Sequence, residues 1–533
     1  MKAILKTALF IATLWYSPFF HAQIISAQSV IGSTSEERSG AMLVLPDQSY
    51  VIGVTSAGGQ TGMKTTASFG SRDCWLLHYD ANNQLIWQLS YGGTGDDWVV
   101  DLKLSSDNQI LVLCSSDSPI SGNKTVDTKG GADAWLFKID LNGVILWQKD
   151  FGTTLWDTPK KVLTHPDLSM YLGFTTNGHD GDFTSQIFGL GEVWLLKLDE
   201  TGNKIWDKSF GTTDDDQLGD LQIEPMSNHV VVSCSVLQAG TGNMSVSASE
   251  TGTNCWLFTL DANGNIVQEA CIGSGTQSGP AKIIYLNDAS LWLMTSTQSD
   301  IIGDQTIAHY GQIDTWLVHL DANFAILGQK VFGGTNFDVP ISIAYDGTVL
   351  QLNLLSNSPL SGNKTQSCRG LNDVWYLMLN ASDGEIITQK TIGGSQNEAG
   401  VTILTQGSNV RFFIESSSPI SGDKQVANYG SNSDIWCLTM SSNLGIADLN
   451  STEFVLSPNP TKDVVILSFE DDLVENRYSL ELLNSLGQVF YFSPNLTSNS
   501  LIDLSSLCEK GVYYVRIFDA SRNEVSMQKI VLE

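Results

Sequence analysis

The stretch DAWLFKID at residues 133–140 returns six more times along the chain, as DCWLLHYD (73–80), EVWLLKLD (192–199), NCWLFTLD (254–261), DTWLVHLD (314–321), DVWYLMLN (373–380) and DIWCLTMS (434–441). Its tryptophans, Trp75, Trp135, Trp194, Trp256, Trp316, Trp375 and Trp436, follow at intervals of 60, 59, 62, 60, 59 and 61 residues. Two glycine markers keep the same beat. One follows an aromatic or aliphatic residue, at Gly32, Gly92, Gly152, Gly211, Gly273, Gly333 and Gly393. The other is Gly62, Gly122, Gly181, Gly242, Gly303, Gly362 and Gly422, three of them inside SPISGNK, SPLSGNK and SPISGDK. Three markers in phase define one supersecondary unit copied seven times.

Within the second unit four extended runs are legible: VVDLKLS (99–105), QILVLCSS (109–116), AWLFKID (134–140) and VILWQKDF (144–151). Turns of Asp-Asn and Asn-Gly type separate strand-sized runs, and no segment sustains a 3.6-residue period, so each unit reads as a four-stranded antiparallel meander. Trp135, Phe137 and Ile139 share one face of the third run while Leu136 and Lys138 occupy the other, which suits a sheet packed between similar sheets. Seven such sheets arranged radially make a seven-bladed β-propeller over residues 23–443. After the seventh Trp strand the aromatic-Gly phrase is missing. IISAQSVIG (24–32) resembles IITQKTIGG (386–394), so the N-terminal strand is expected to complete the last blade and leave no open edge.

The chain has 533 residues, 48 Gly and 14 Trp, with 28 Lys plus Arg against 57 Asp plus Glu, for a net charge of −29. A field of that sign repels phosphate backbones and anionic lipid, which excludes nucleic acid as a partner class. Residues 1–22, with Lys2, Lys6, an apolar stretch from Ala8 to Tyr16 and a cleavage point at His21-Ala22-Gln23, read as a signal peptide. Eight cysteines show no CxxC; most are expected to be free and buried, and Cys234 with Cys255 is the best bridge candidate.

From Phe454 the repeat stops. FVLSPNPTKDVVILSF, YSLELLNSLGQVF and SLIDLSSLCEKGVYYVRIFDASRNEVSMQKIVLE read as short strands of a small β-sandwich, with Phe490, Tyr491 and Phe492 supplying core, after a polar linker at 444–453. The fold class is thus all-β: a seven-bladed propeller followed by a β-sandwich at 454–533.

Two resemblances attach to these residues. GG(T/S)-x-x-D, S-x-I-S-G and D-x-W-L-x-K-(I/L)-D resemble bacterial β-propeller-repeat proteins over residues 24–443, a likeness specific for fold. Ser457-Pro458-Asn459-Pro460, Leu486-Gly487-Gln488, Gly511-Val512-Tyr513-Tyr514-Val515 and Gln528-Lys529-Ile530-Val531 resemble, in order, the landmarks of the type A C-terminal sorting domain of the type IX (Por) secretion system of Bacteroidetes. Ser457 stands where that family has an aromatic residue. The resemblance implies Pro458, Asn459, Pro460, Gly487, Gly511, Tyr513 and Lys529 as sorting-signal landmarks. It also implies partners in the secretion machinery and its sortase, removal of the domain near the linker, and a destination in the medium or at the outer-membrane surface.

Constellations that carry chemistry are sparse. The histidines form no HExxH, and no GxSxG elbow or P-loop occurs. His78 and His319 lie three residues after repeat tryptophans, on what reads as a variable strand surface. DETGNKIWDKSFG (199–211) resembles the tryptophan-docking phrases of quinoprotein propellers. Those rings usually have eight blades, and here Trp87, Trp147 and Trp206 give way to Val267, Leu327 and Ile387, so a Trp packed between blades explains the phrase. Asp73, Asp133, Glu192, Asn254, Asp314, Asp373 and Asp434 occupy one position in all seven units, which suits a loop tether and not a single catalytic group. A second set, Asp96, Asp97, Asp157, Asp215, Asp216, Asp338 and Glu398, is placed on one rim, with Ca²⁺ as its alternative role. We expect no catalytic residue and no cofactor. The chain reads as an exported, monomeric, non-catalytic module for an unidentified glycan or protein; the alternative is a secreted hydrolase or lyase, acting on polysaccharide or protein, with its site in the propeller channel.

Overall fold

The computed structural model describes residues 24–441 apart from 238, 249–251, 275–280 and 407–408, and 455–532 apart from 459, 469–477, 485–488, 495, 497–499, 505–509 and 519–523. The signal segment, the linker, Asn459, Gly487 and Cys508 lie outside these residues. Two units result, one ending at Met440 and one beginning at Ser441.

In the first unit the meander forms in every copy. Blade two is typical: Asp97–Leu104, Ile110–Ser116, Asp133–Ile139 and Ile145–Phe151 lie side by side in chain order and antiparallel. We name these strands A to D. Short turns force the antiparallel neighbours, and residues at positive φ such as Asn108 and Gly143 close two of them. Strand A of each blade touches strand A of the next, through all seven and back to the first, so the A strands form a closed inner ring around a channel. In six blades strand A also carries an extra residue near its start, for instance between Val99 and Asp101 and between Pro159 and Lys161, a bulge that adds twist where the sheet is innermost.

The seventh blade breaks chain order as the sequence leads one to expect. Its sheet runs Glu398–Gln406, Asn409–Ser416, Asp434–Ser441 and then Ile24–Ile31. Ile31, Ile435 and Phe413 share one cluster with Tyr50, Val54 and Trp75 of blade one, so the joint between chain ends is core of the same kind as elsewhere. All seven repeat tryptophans are fully buried. Each removes roughly 4–6 kcal/mol worth of apolar surface from water, as an upper bound.

The second unit pairs a three-stranded sheet (Val455–Ser457, Val464–Ser468, Ser500–Asp503) with a four-stranded one (Val489–Ser493, Ser479–Asn484, Gly511–Phe518, Glu524–Leu532). Leu456, Val465, Leu467 and Ile502 from the first meet Leu480, Leu482, Val515, Ile517 and Ile530 from the second in one core, so the unit is a β-sandwich. The expected aromatic core needs correction. Tyr491 packs partly against that cluster, whereas Phe492 is 44% exposed, because alternation along the strand turns successive side chains to opposite faces.

Removal of residues 24–31 should leave blade seven without its outer strand and lower the melting temperature by many degrees in a thermal scan. An unchanged transition contradicts ring closure by this strand.

Candidate functional site

A latch recurs in all seven blades. The indole N–H of the strand-C tryptophan donates to a side-chain oxygen on strand D: Trp75 to Gln88 (3.1 Å), Trp135 to Gln148 (3.0 Å), Trp194 to Asp207 (3.2 Å), Trp256 to Glu269 (2.9 Å), Trp316 to Gln329 (3.2 Å), Trp375 to Gln389 (3.0 Å) and Trp436 to Gln28 (3.0 Å). Gln28 also accepts from the Gln425 amide and donates to the Asp423 carbonyl, the same three bonds that Gln148 makes with Trp135, Thr125 and Asn123. The N-terminal strand therefore supplies a missing latch as well as a missing sheet edge. The signal was legible as Gln, Asp or Glu thirteen or fourteen residues after Trp, and the sequence reading passed over it.

The residue two before each tryptophan tethers the preceding loop. Asp73 accepts from the Phe69 amide (2.9 Å), Asp133 from Lys129 (2.6 Å), Glu192 from Phe188 (2.5 Å), Asp373 from Arg369 (2.6 Å), Asp434 from Tyr429 (2.6 Å), and Asp314 from Tyr310. Asn254 reverses the polarity and donates to the Gly252 carbonyl at 2.8 Å. The second acidic set departs from its expected rim. Asp97, Asp157, Asp216, Asp338 and Glu398 are buried at the start of strand A. They take the amide four residues back, at Gly93, Thr153, Thr212, Gly334 and Gly394. Glu37, missed in the sequence, does the same with Ser33. Only Asp96 and Asp215 of that set keep solvent access. Loop tethering draws the carboxylates inward, because unpaired loop amides are costly to bury.

These two sets meet between blades. A Cβ at Gly92 would lie 2.3 Å from Oδ1 of Asp73 in blade one and 2.7 Å from Oδ2 of Asp97 in blade two; at Gly211 it would lie 2.7 Å from Glu192 and 2.8 Å from Asp216. The repeated glycine is thus the gap through which neighbouring carboxyls face each other. Asp73, Asp133, Glu192, Asp314, Asp338, Asp373 and Asp434 each keep one buried oxygen without a donor. Two carboxylates facing each other out of water cannot both ionise, and a proton on one serves both. Burial pushes Asp133 up to about 8, Asp216 and Asp434 to about 7, and Asp314 and Asp373 to about 6, with neighbouring carboxylates adding to the rise. Among the described residues no group of three or more His, Cys, Asp or Glu is arranged to hold a metal ion.

Between the two acids of a blade sits the last residue of the SGNK-type phrase. Lys64, Lys124, Lys364 and Lys424 are almost wholly buried, with their ammonium groups 5.0–6.0 Å from the ring centres of Trp75, Trp135, Trp375 and Trp436. Phe183, Met244 and Gln305 take that place in blades three to five. Other expectations need correction. His78 is buried against Trp87 and bonds Ser49, and the half-buried His319 stacks on Trp292 and bonds Ser290; both pack on a tryptophan of an adjacent strand in their own blade and do not form a variable surface. Cys234 and Cys255 are free thiols. Cys234 lies opposite Trp256 and Cys255 opposite Ser235, so their side chains leave the sheet on opposite faces. Trp87 donates to the Leu141 carbonyl and Trp206 to that of Ala262, each in the next blade.

Outward-facing residues are ordered too. The loop after strand B ends on the second repeated glycine, whose φ is between 56° and 62° in all seven units. At its tip Ile120, Ile301, Leu360 and Ile420 are 61%, 66%, 65% and 62% exposed.

In the second unit, Tyr513 pairs with Ile530 and Tyr514 with Lys529 across the last two strands, and Pro458 and Pro460 are exposed. Residues 456–533 match the secretion system C-terminal sorting domain. The sorting domain addresses the chain to the cell surface or the extracellular space by the type IX system. Among curated proteins none matches the sequence. Solved structures with similar backbones include the polysaccharide lyase Uly1 (9% identity, TM-score 0.44, 79% of this chain and 100% of that one). A protein of unknown function from Dyadobacter fermentans gives 10% identity, TM-score 0.41, and coverage of 79% and 99%. An ulvan lyase of family PL25, bound to -[GlcA(1-4)Rha3S]-, gives 11% identity, TM-score 0.41, and coverage of 76% and 97%. Likeness at this level assigns no chemistry to this chain.

The carboxyl pairs set a pH dependence. The folded pKa values of Asp133, Asp216, Asp434, Asp314 and Asp373 are raised, so the stability these groups contribute is complete below about 4 and is lost as pH rises through 6 to 8. Burial lowers Lys424 to about 8, so the stability it contributes is present above about 10.5 and lost as pH falls through 8. Asp199 and Asp207, held down at about 2 by hydrogen bonds, lose theirs only in strong acid. The melting temperature should therefore fall between pH 5 and 8. Asp133→Ala should cost about 1–3 kcal/mol in denaturant titrations, and Asp133→Asn less, since Asn254 already serves in blade four. A melting temperature that rises from pH 5 to 8 contradicts the shared-proton pairs.

Proposed function

We propose that the exported propeller is a non-catalytic docking module whose recognition surface is the loop face bearing Ile301, Leu360 and Ile420. Each is more than three-fifths exposed, at one equivalent position of three consecutive blades. Aliphatic tips in a contiguous arc are a costly surface to leave in water and suit the apolar centre of a protein interface. The tips are fixed before binding. Ser361 accepts from the Thr335 amide and Ser421 from the Ser395 amide, both at 2.9 Å, so little ordering cost is left to docking.

Among the described residues the repeated acids, the groups a hydrolase would draw on first, are engaged otherwise. The strand-A and strand-C acids bind backbone amides, and Glu415 lies beside Arg38 at 4.0 Å. That supports binding without turnover.

The test compares the exported protein with its Ile301→Ser, Leu360→Ser, Ile420→Ser triple variant for adsorption to bacterial cells, before and after protease treatment of the cells. Wild type should adsorb to untreated cells only, the triple variant should lose at least about tenfold, and neither should release sugar or peptide. Undiminished adsorption of the triple variant contradicts the docking face; released product favours the hydrolase or lyase reading.

A further inference from the structure

The turns after strands A and C lie at the opposite end of the blades from the loop tips, because neighbouring strands run antiparallel. Where blade three meets blade four, these turns border an open cavity of about 520 Å³. One wall is apolar. Leu168, from the turn after strand A, and Ile205, from strand D, are 52% and 55% exposed, and Trp206 is half-buried beside them. The other wall is polar, with Lys197 near the end of strand C, the carboxyl groups of Asp167, Asp199 and Glu200, and the Asn263 amide of blade four.

The walls of this cavity are held in place. Trp206 meets Tyr171 edge to face, ring centres 5.8 Å apart, and its indole N–H donates to the Ala262 carbonyl of blade four at 3.4 Å. Trp87 and Trp147 stand at the same strand-D position in blades one and two, where the residues in the place of Ala262 are Leu141 and Glu200. Of the three junctions this one puts the least side chain beside the indole. Leu168 carries strain: its φ is 70°, at a turn position where blades two and four have Asn108 and Asn228, each at 59°. Asparagine tolerates that left-handed backbone and leucine resists it, so an exposed apolar side chain is kept here against local preference. Most of the polar wall is engaged internally. Asp167 accepts from the Lys197 ammonium (3.1 Å) and the Ser169 amide (2.9 Å), Lys197 also donates to the Ala262 carbonyl (3.4 Å), and Asp199 takes the amides of Thr201 (2.9 Å) and Asn203 (2.8 Å). Glu200 and Asn263, both exposed, are left to face a ligand.

The charges select the class of ligand. A cation would meet the Lys197 ammonium, and an anion would meet three carboxylates in a chain of net charge −29. An uncharged molecule with one apolar face and hydroxyl groups around its edge suits both walls. We infer that this cavity binds an uncharged pyranose of a saccharide chain. Its C–H face packs on Trp206, Leu168 and Ile205, its hydroxyls donate to Glu200, and the Asn263 amide both donates and accepts. The volume lies within the range of small-molecule sites. A lone site for a neutral sugar is weak, so the docking face at the loop tips does not depend on it, and either can fail without the other.

The exported protein is tested by saturation-transfer NMR against cellobiose, maltose, lactose and laminaribiose, with sodium glucuronate and choline chloride as charged probes, and each sugar that responds is titrated calorimetrically. Wild type should bind at least one neutral disaccharide in preference to both ions. Ala262→Leu, which places the blade-two residue at an exposed position, should abolish binding without lowering the melting temperature. Leu168→Asn, the residue of blades two and four, should weaken binding about tenfold and melt no lower than wild type, since it relieves strain; general loss of structure cannot give that combination. Leu327→Ser, at the blade-five equivalent of Ile205, should bind as wild type does. Absence of binding to every neutral disaccharide, stronger binding of glucuronate or choline, wild-type affinity in Ala262→Leu or Leu168→Asn, or an equal loss in Leu327→Ser overturns the site.

Discussion

The ring depends on what happens where two blades meet. Each junction must bring two loops together without leaving their amide groups dry and unpaired, and at every junction but that of blades four and five the chain meets that demand with one acid from each blade. A carboxylate is the only side-chain group that accepts strongly in several directions at once, which is why Asp97 serves Gly93, Ser116 and Ser118 together. The consequence is that like charges face each other across Gly92 and its equivalents. Burial makes that arrangement tolerable only when one member keeps its proton. A tether chosen for loop geometry thereby becomes a titrating joint, repeated around the ring.

The same demand explains the invariants of the repeat. The first glycine exists because a side chain there would occupy the space between the carboxyls, and the second because its φ near 60° returns the loop against the previous blade. The buried lysine lies between the two acids of its own blade and over the strand-C tryptophan. In blade four Met244 replaces it, and Asn254 replaces the acid, so a lost positive charge coincides with a lost negative one. Ring closure follows the same chemistry: Gln28 comes from the opposite end of the propeller and finds the Trp436 indole where every other blade has a latch of its own.

Most of the fold was legible because it repeats. A Trp at constant spacing, hairpin turns and a displaced strand at Ile24 are statements about local pattern, and the blades obey local pattern. What escaped was three-dimensional. Glu37 and the strand-D glutamines keep a constant spacing from the repeat glycine and tryptophan, but their roles appear only when strands are placed side by side. The strand-A acids read as a rim because a Gly-rich turn next to Asp looks like a surface loop; burial of the turn against the next blade turns them inward. His78 and His319 read as strand surface because alternation along one strand does not reveal the tryptophan that packs on them from the adjacent strand. In the sorting domain the order of landmarks was plain, whereas Phe492 could not be placed without the register that points it to solvent.

The account stands on protonated carboxyls between the blades at neutral pH. Infrared spectroscopy in heavy water reads them directly, through the carbonyl stretch of an un-ionised carboxylic acid, well separated from that of carboxylates. The folded protein at pH 7 should show this band, it should diminish in Asp133→Asn and Asp434→Asn, and it should vanish as pH is raised above the range of Asp133. A folded protein at pH 7 with no such band would contradict the shared-proton junctions on which this description of the ring is built.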